Sequence, residues 1–112
     1  MSLSTHVLDA TLGQPAAGVV VRLERRGDDG SWSVLGAGRT GPDGRLAGWL
    51  PKGEPRAGMH RLVFDTGGYF AGRGVPTLYP EVIIAFEADG AAGHYHLPLL
   101  LSPFAYSTYR GS

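Results

Sequence analysis

The chain has no cysteine. That excludes a disulfide framework, a thiolate metal site and a cysteine nucleophile, and it leaves the redox compartment unmarked. Nor is there a surplus of charge: ten Lys and Arg balance ten Asp and Glu across 112 residues. Nucleic acid calls for a basic patch and an anionic membrane surface for a similar excess, so neither is an expected partner. No run approaches the roughly 20 apolar residues of a membrane span. The opening "MSLSTHVLDA" has no basic stretch and no long apolar core, so it does not read as a secretory signal. Cytoplasmic location is the expectation, with periplasmic and peroxisomal forms left open. Composition permits a Ser-His-Asp triad, but no G-x-S-x-G elbow or other spacing supports one.

What the chain does contain is glycine and proline, 18 and 8 of them, set as punctuation between short apolar runs. That is an all-β pattern and too much breakage for a helical bundle. Extended segments are predicted over residues 4–10, 19–26, 31–40, 45–50, 59–66, 81–88, 94–102 and 105–111, about eight strands at the spacing of a two-sheet sandwich. Residues 27–30 and 41–44 are turns, and 89–93 reads as a hairpin turn. Residues 51–58 form an irregular link with at most one helical turn at 54–58. Residues 67–80 read as a long Gly/Pro-rich loop. No linker or repeat divides the chain, so residues 1–112 are expected to form one domain.

A period of two assigns faces. Leu97, Leu99 and Leu101 share one face, the expected core; His94, His96, Pro98 and Leu100 share the other. Thr5, Val7 and Asp9 oppose Ser4, His6 and Leu8. Ser107, Tyr109 and Gly111 oppose Tyr106, Thr108 and Arg110. Should these strands share a sheet, one outer face gathers His6, Leu8, His96, Pro98, Leu100, Ser107 and Tyr109. Half apolar and half reactive, such a face suggests a binding surface or a subunit contact.

Other motifs carry less. "GAGRTG", Gly36 to Gly41, matches G-x-G-x-x-G, but a turn follows where a dinucleotide site needs a helix N-terminus. His94 and His96 have the i, i+2 spacing of a metal pair and His6 could add a third ligand, yet no acidic residue or cysteine completes the set. No metal and no cofactor are expected. His60 reads as a surface strand residue, and Arg45 as a solvated turn arginine.

Taken together, "HVLDATLGQPAAGVVVRLERR", "GRTGPDGRL" and "HYHLPLLLSPFAYSTYRGS" resemble the transthyretin family over nearly the whole chain. Within it they are similar to the 5-hydroxyisourate hydrolase branch, of which the closing "YRGS" is a signature. Transthyretin itself departs from that tetrapeptide and has a lysine at the position of His6. The resemblance implies a transthyretin-like sandwich of eight strands with a short helix, for which residues 51–60 offer little room. It implies a homotetramer, a dimer of dimers, whose channel is lined by the outer faces of the first and last two strands. The implied reaction is lactam opening of 5-hydroxyisourate to 2-oxo-4-hydroxy-4-carboxy-5-ureidoimidazoline, in urate degradation. Catalytic positions then fall on His6, Arg45 and His96, and a substrate contact on Tyr109. His94 matches the first histidine of the family's frequent "HYH". Ser107, on the face of Tyr109, and Ser112, near the channel mouth, join the expected substrate contacts. Gly111 is expected to let the backbone approach a symmetry-related chain, since it has no Cβ. A transthyretin-like carrier of a small ligand, without catalysis, is the alternative; a plain structural module is a third reading.

Overall fold

In the computed structural model, which describes residues 2–90 and 93–112, alternation and turn chemistry yield ten extended segments and one helix. In chain order these are β1 (Ser2–Asp9), β2 (Gln14–Pro15), β3 (Val20–Arg26), β4 (Trp32–Arg39), β5 (Arg45–Leu46), β6 (Gly58–Phe64), α1 (Thr66–Gly72), β7 (Val82–Ala88), β8 (His94–His96), β9 (Leu99–Ser102) and β10 (Ala105–Thr108). One sheet has four strands in the order β4-β3-β6-β7, antiparallel throughout. The other is built around β1. It pairs parallel with β8 and β9 and antiparallel with the short β2 and β5, while β10 closes the far edge against β9. This is the all-β sandwich the turn spacing predicts. Among the described residues no helix is long and apolar enough to cross a membrane.

Strict alternation along β1 separates the two faces. Leu3, Thr5, Val7 and Asp9 are buried, whereas Ser4, His6 and Leu8 are half-buried on the outer side. Tyr95, Leu97, Leu99 and Leu101 likewise turn inward, against Val21, Leu23, Leu62, Phe64 and Val82 of the facing sheet. Proline interrupts the 94–102 strand: Pro98 has no N–H to give a ladder, and β8 ends where β9 has yet to begin. The line continues nonetheless, because Leu97 N–H donates to Ser4 O and the register on β1 is the same on both sides of the break.

The structure corrects the expected position of the helix. It lies at Thr66–Gly72, inside the segment read as a loop, and residues 54–58 are not helical. Three glycines give this helix poor intrinsic propensity. Tertiary contacts supply what propensity lacks. The Asp65 side chain caps Gly68 N–H at 3.0 Å, Phe70 is buried in the core, and Tyr69 Oη donates to Asp9 Oδ2 at 2.8 Å. Gly67 is needed for close packing, since a Cβ there would stand 2.7 Å from the Pro80 carbonyl oxygen. The expected hairpin at 89–93 is also corrected: β7 and β8 belong to different sheets, so their connection crosses the sandwich. Two of its residues, 91 and 92, lie outside the described ones. The glycines of the G-x-G-x-x-G match run along β4 into the turn at Pro42, and no helix N-terminus follows them.

His60 is fully buried rather than at the surface. It shares parity with Leu62 and Phe64, and the core face of β6 takes it in, stacked on Phe86 at 5.5 Å. Its Nδ1–H donates to Gly58 O at 2.9 Å, which leaves Nε2 buried with no partner among the described residues. Burial therefore holds the His60 pKa below its ordinary value of 6.5, reinforced by the Arg25 charge and partly offset by the Gly58 carbonyl. The unfolded chain binds this proton at higher pH than the folded one. Its contribution to stability is complete above about pH 6.5 and is lost as pH falls from there towards the lower folded pKa. At fixed protomer concentration, the urea midpoint should drop between pH 7 and pH 5, and His60→Gln should flatten that drop. An equal drop in both proteins would contradict this origin.

Candidate active site

Two parallel strands with the same outward parity make a ladder of side chains. Ser2 stands beside His94 and Ser4 beside His96, on β1 and β8. One step further along β1, His6 is opposite Arg45 of β5. On the far side, the β10 register pairs Ser107 with Leu100, and it is still in phase where Gly111 bridges His96. Tyr109 therefore falls opposite Pro98, with Thr108 Oγ1 donating to Pro98 O at 2.7 Å. The outer face thus carries adjacent rows: Ser4, His96 and Gly111; then Arg45, His6, Pro98 and Tyr109; then Leu8, Leu100 and Ser107. Pro98, expected on this face, is buried within its row.

The turn before β5 delivers Arg45. Gly44 adopts φ +77°, and its carbonyl accepts from Val7 N–H at 2.8 Å, which clamps the turn onto β1. Asp43 Oδ1 accepts from Arg45 N–H at 3.0 Å. The Asp43 carbonyl lies 2.9 Å from His6 Nε2. A carbonyl only accepts, so this nitrogen carries the proton and a neutral His6 keeps its lone pair on Nδ1. Among the described residues the Arg45 guanidinium has only a long contact, 4.0 Å, to the exposed Asp43 carboxylate, which leaves most of its fork uncommitted.

His96 is half-buried, and its Nδ1 is 2.8 Å from Ser4 Oγ. The same hydroxyl is 2.7 Å from His94 Nε2, and Ser2 Oγ is 2.5 Å from His94 Nδ1. The two imidazoles are nearly parallel, 18° apart, with centroids separated by 6.5 Å. Desolvation holds the His96 pKa below 6.5, and the nearby Arg45, His94 and His6 push the same way, against a hydrogen bond that the ring donates to the Ser4 backbone. His96 is therefore neutral at neutral pH, a ring able to accept a proton.

Of the residues expected from sequence, His6, Arg45 and His96 come together from three strands, and Tyr109 lies in the row of His6. Tyr109 is exposed. Ser107 stands one row off beside Leu100, in a shallow hollow with Ala10 and Tyr106. Ser112 is exposed just past the Gly111 bridge. Arg110 turns to the opposite side and covers the Tyr95 ring at 4.9 Å. Gly111 serves a purpose within its own chain: a Cβ there would meet His96 Cδ2 at 2.5 Å. Its N–H also donates to His96 O at 2.7 Å. Gly111→Ala should displace the His96 ring from Ser4 and lower kcat about 10²-fold, the usual effect of an ångström-scale misplacement. The fold should be retained by circular dichroism; unchanged turnover would show that the ring has slack. Ser2, Ser4 and Asp43 are additional members of the site. The alternation that singled out His6 already placed Ser4 on its face, while Ser2 lies ahead of the strand predicted over residues 4–10 and the Asp43 contribution is a backbone carbonyl that no sequence pattern marks.

Residues 3–111 match the HIUase/Transthyretin family. The chain is 44% identical over 110 residues to a protein of Salmonella dublin named 5-hydroxyisourate hydrolase, covering 98% of this chain and 80% of that one. Among solved structures, the 5-hydroxyisourate hydrolase of Klebsiella pneumoniae superposes with a TM-score of 0.86 at 37% identity, over the whole of both chains. Sea bream transthyretin, in complex with thyroxine, superposes with a TM-score of 0.92 at 32% identity, over 97% of this chain and 93% of that one.

Proposed function

The chain belongs to the HIUase/transthyretin family, and we propose that it hydrolyses 5-hydroxyisourate, opening the lactam to a carboxylate. The observation that carries this reading is the meeting of His6, Arg45 and His96 on one outer face, with Tyr109 in the same row. The likeness to proteins named for that activity supports it.

His96 takes the role of base. Neutral and with Nδ1 engaged by Ser4, it presents Nε2 to a water molecule. As the water oxygen bonds to the ring carbonyl carbon, its proton passes to Nε2. Arg45 stabilises the oxyanion with a planar charged fork that a lysine cannot reproduce. The carbon–nitrogen bond then breaks, and His6, whose Nε2–H is fixed on Asp43 O, passes the departing nitrogen a proton that its Nδ1 takes up from solvent. Tyr109 contacts the flat ring, with Ser107 and Ser112 bounding the substrate. The donor set also supports a metal-independent cyclic amide hydrolase: both His94 nitrogens and Nδ1 of His96 already have serine partners.

Leu8 and Leu100 leave the site face half apolar, which favours closed assembly as a homotetramer, a dimer of dimers, with the sites in its channel. Sedimentation at micromolar protein tests this directly. Backbone shape alone also suits a second reading, a carrier of a small ligand without catalysis, because the transthyretin superposition has the higher score. Fold does not determine activity. Freshly generated 5-hydroxyisourate mixed with the protein decides between them: its ultraviolet absorbance should decay far faster than spontaneously, and a spontaneous rate would leave the carrier.

A further inference from the structure

The contacts beyond His96 form a series that the hydrolytic steps do not use. It runs from His96 Nδ1 to Ser4 Oγ, from there to His94 Nε2, and from His94 Nδ1 to Ser2 Oγ, at 2.8, 2.7 and 2.5 Å. Its inner end, Ser4 and His96, is half-buried, and its outer end, Ser2 and His94, is exposed. Proton counting makes the series directional. Ser4 has one hydroxyl proton and two ring nitrogens to satisfy. If it donates to His96 Nδ1, then His94 must donate from Nε2, and His94 Nδ1 must accept from Ser2. If it donates to His94 Nε2 instead, every proton in the series reverses. Two self-consistent polarities therefore exist, differing in which nitrogen of His96 is protonated.

From this we infer that Ser4, His94 and Ser2 form a proton relay that joins His96 Nδ1 to solvent and inverts the His96 tautomer as it acts. The relay rests on the reading of His96 as the base of the hydrolysis. In the starting polarity His96 carries its proton on Nδ1 and Nε2 is bare. When Nε2 accepts the water proton, the Nδ1 proton moves to Ser4 Oγ and the Ser4 proton to His94 Nε2. The His94 Nδ1 proton then leaves past Ser2 to solvent. One proton enters, one departs, and His96 ends neutral with its proton on Nε2. The reverse sequence restores the start when Nε2 yields its proton to water as product leaves. Other charged groups facing His96 are His6 on β1 and Arg45 on β5, neither of which makes a contact to Nδ1. Ser4 and His94 are thus positioning residues, acting through His96.

The test uses the intact protein and three variants, Ser4→Ala, Ser4→Thr and His94→Ala, each checked for fold and assembly. Ser4→Ala and His94→Ala should lower kcat about tenfold or more in dilute buffer, with KM little changed, below the full loss of a general base. Raising the imidazole concentration should restore much of that loss, because an external buffer can take the proton. Ser4→Thr keeps the hydroxyl and should stay within a few-fold of the parent. Nitrogen-15 spectra of the resting protein should show the His94 and His96 tautomers changing together, and Ser4→Ala should uncouple them. Unchanged kcat in Ser4→Ala or His94→Ala, or a loss that buffer does not relieve, would overturn the relay. Coupled rings in a parent protein that fails to hydrolyse 5-hydroxyisourate would overturn the hydrolase reading instead.

Discussion

His6→Ala and His96→Ala should each lower kcat by about 10²- to 10⁴-fold, the range over which a positioned acid or base acts. The two losses have different causes. His96→Ala removes the ring that burial and neighbouring positive charge keep neutral, and with it the acceptor for the water proton. His6→Ala removes the ring that Asp43 O holds by Nε2, and with it the Nδ1 that passes a proton to the departing nitrogen. Arg45→Lys should also be poor, because an ammonium cannot supply the guanidinium's paired donors. None of the three side chains lies in the hydrophobic core, so circular dichroism and sedimentation should match the parent. Near-parental turnover in all three, with the assembly intact, would place the chemistry elsewhere.

Deleting Tyr109 to Ser112 is expected to abolish hydrolysis while leaving a folded sandwich. The segment is mostly exposed, which is the usual mark of a dispensable end. Its contacts argue otherwise. Gly111 bridges the backbone of His96, Arg110 lies over Tyr95 on the inner side of the same strand, and Tyr109 stands in the row of His6. Without them His96 loses the backbone neighbour on one flank and the substrate loses a wall, so kcat/KM should fall by about 10²-fold or more. The core should survive, because Leu97, Leu99 and Leu101 remain packed and β10 keeps its ladder to β9 through Thr108. Steady-state kinetics beside near- and far-ultraviolet circular dichroism make the measurement. A folded truncation with full activity would reduce these four residues to a tail.

Much of this site was legible without a fold. Period two is a local property of extended chain, so within each strand it parted His96 from Leu97, Leu99 and Leu101, His6 from Val7, and Ser107 and Tyr109 from Arg110 before any pairing was known. Turn chemistry did the same for the loop that brings Arg45 to the edge of β1. Even the burial of His60 was written in its parity with Leu62 and Phe64, and it was misread because histidine is more often seen at surfaces.

Other features depend on contacts between residues far apart in sequence. The helix at Thr66–Gly72 defies the propensity of its three glycines because Phe70, Asp9 and Pro80 reward a tight turn there. That β7 and β8 part into different sheets could not be read from the segment between them, since strand pairing is set by which faces can be buried together. The parallel register of β1 on β8 is long-range too. Only that register puts one serine hydroxyl between two imidazoles separated from it by about ninety residues. Sequence alone thus determined the chemical types on the outer face. Tertiary structure decided their neighbours, because a shared hydrogen bond depends on the distance between strands and not on the order within one.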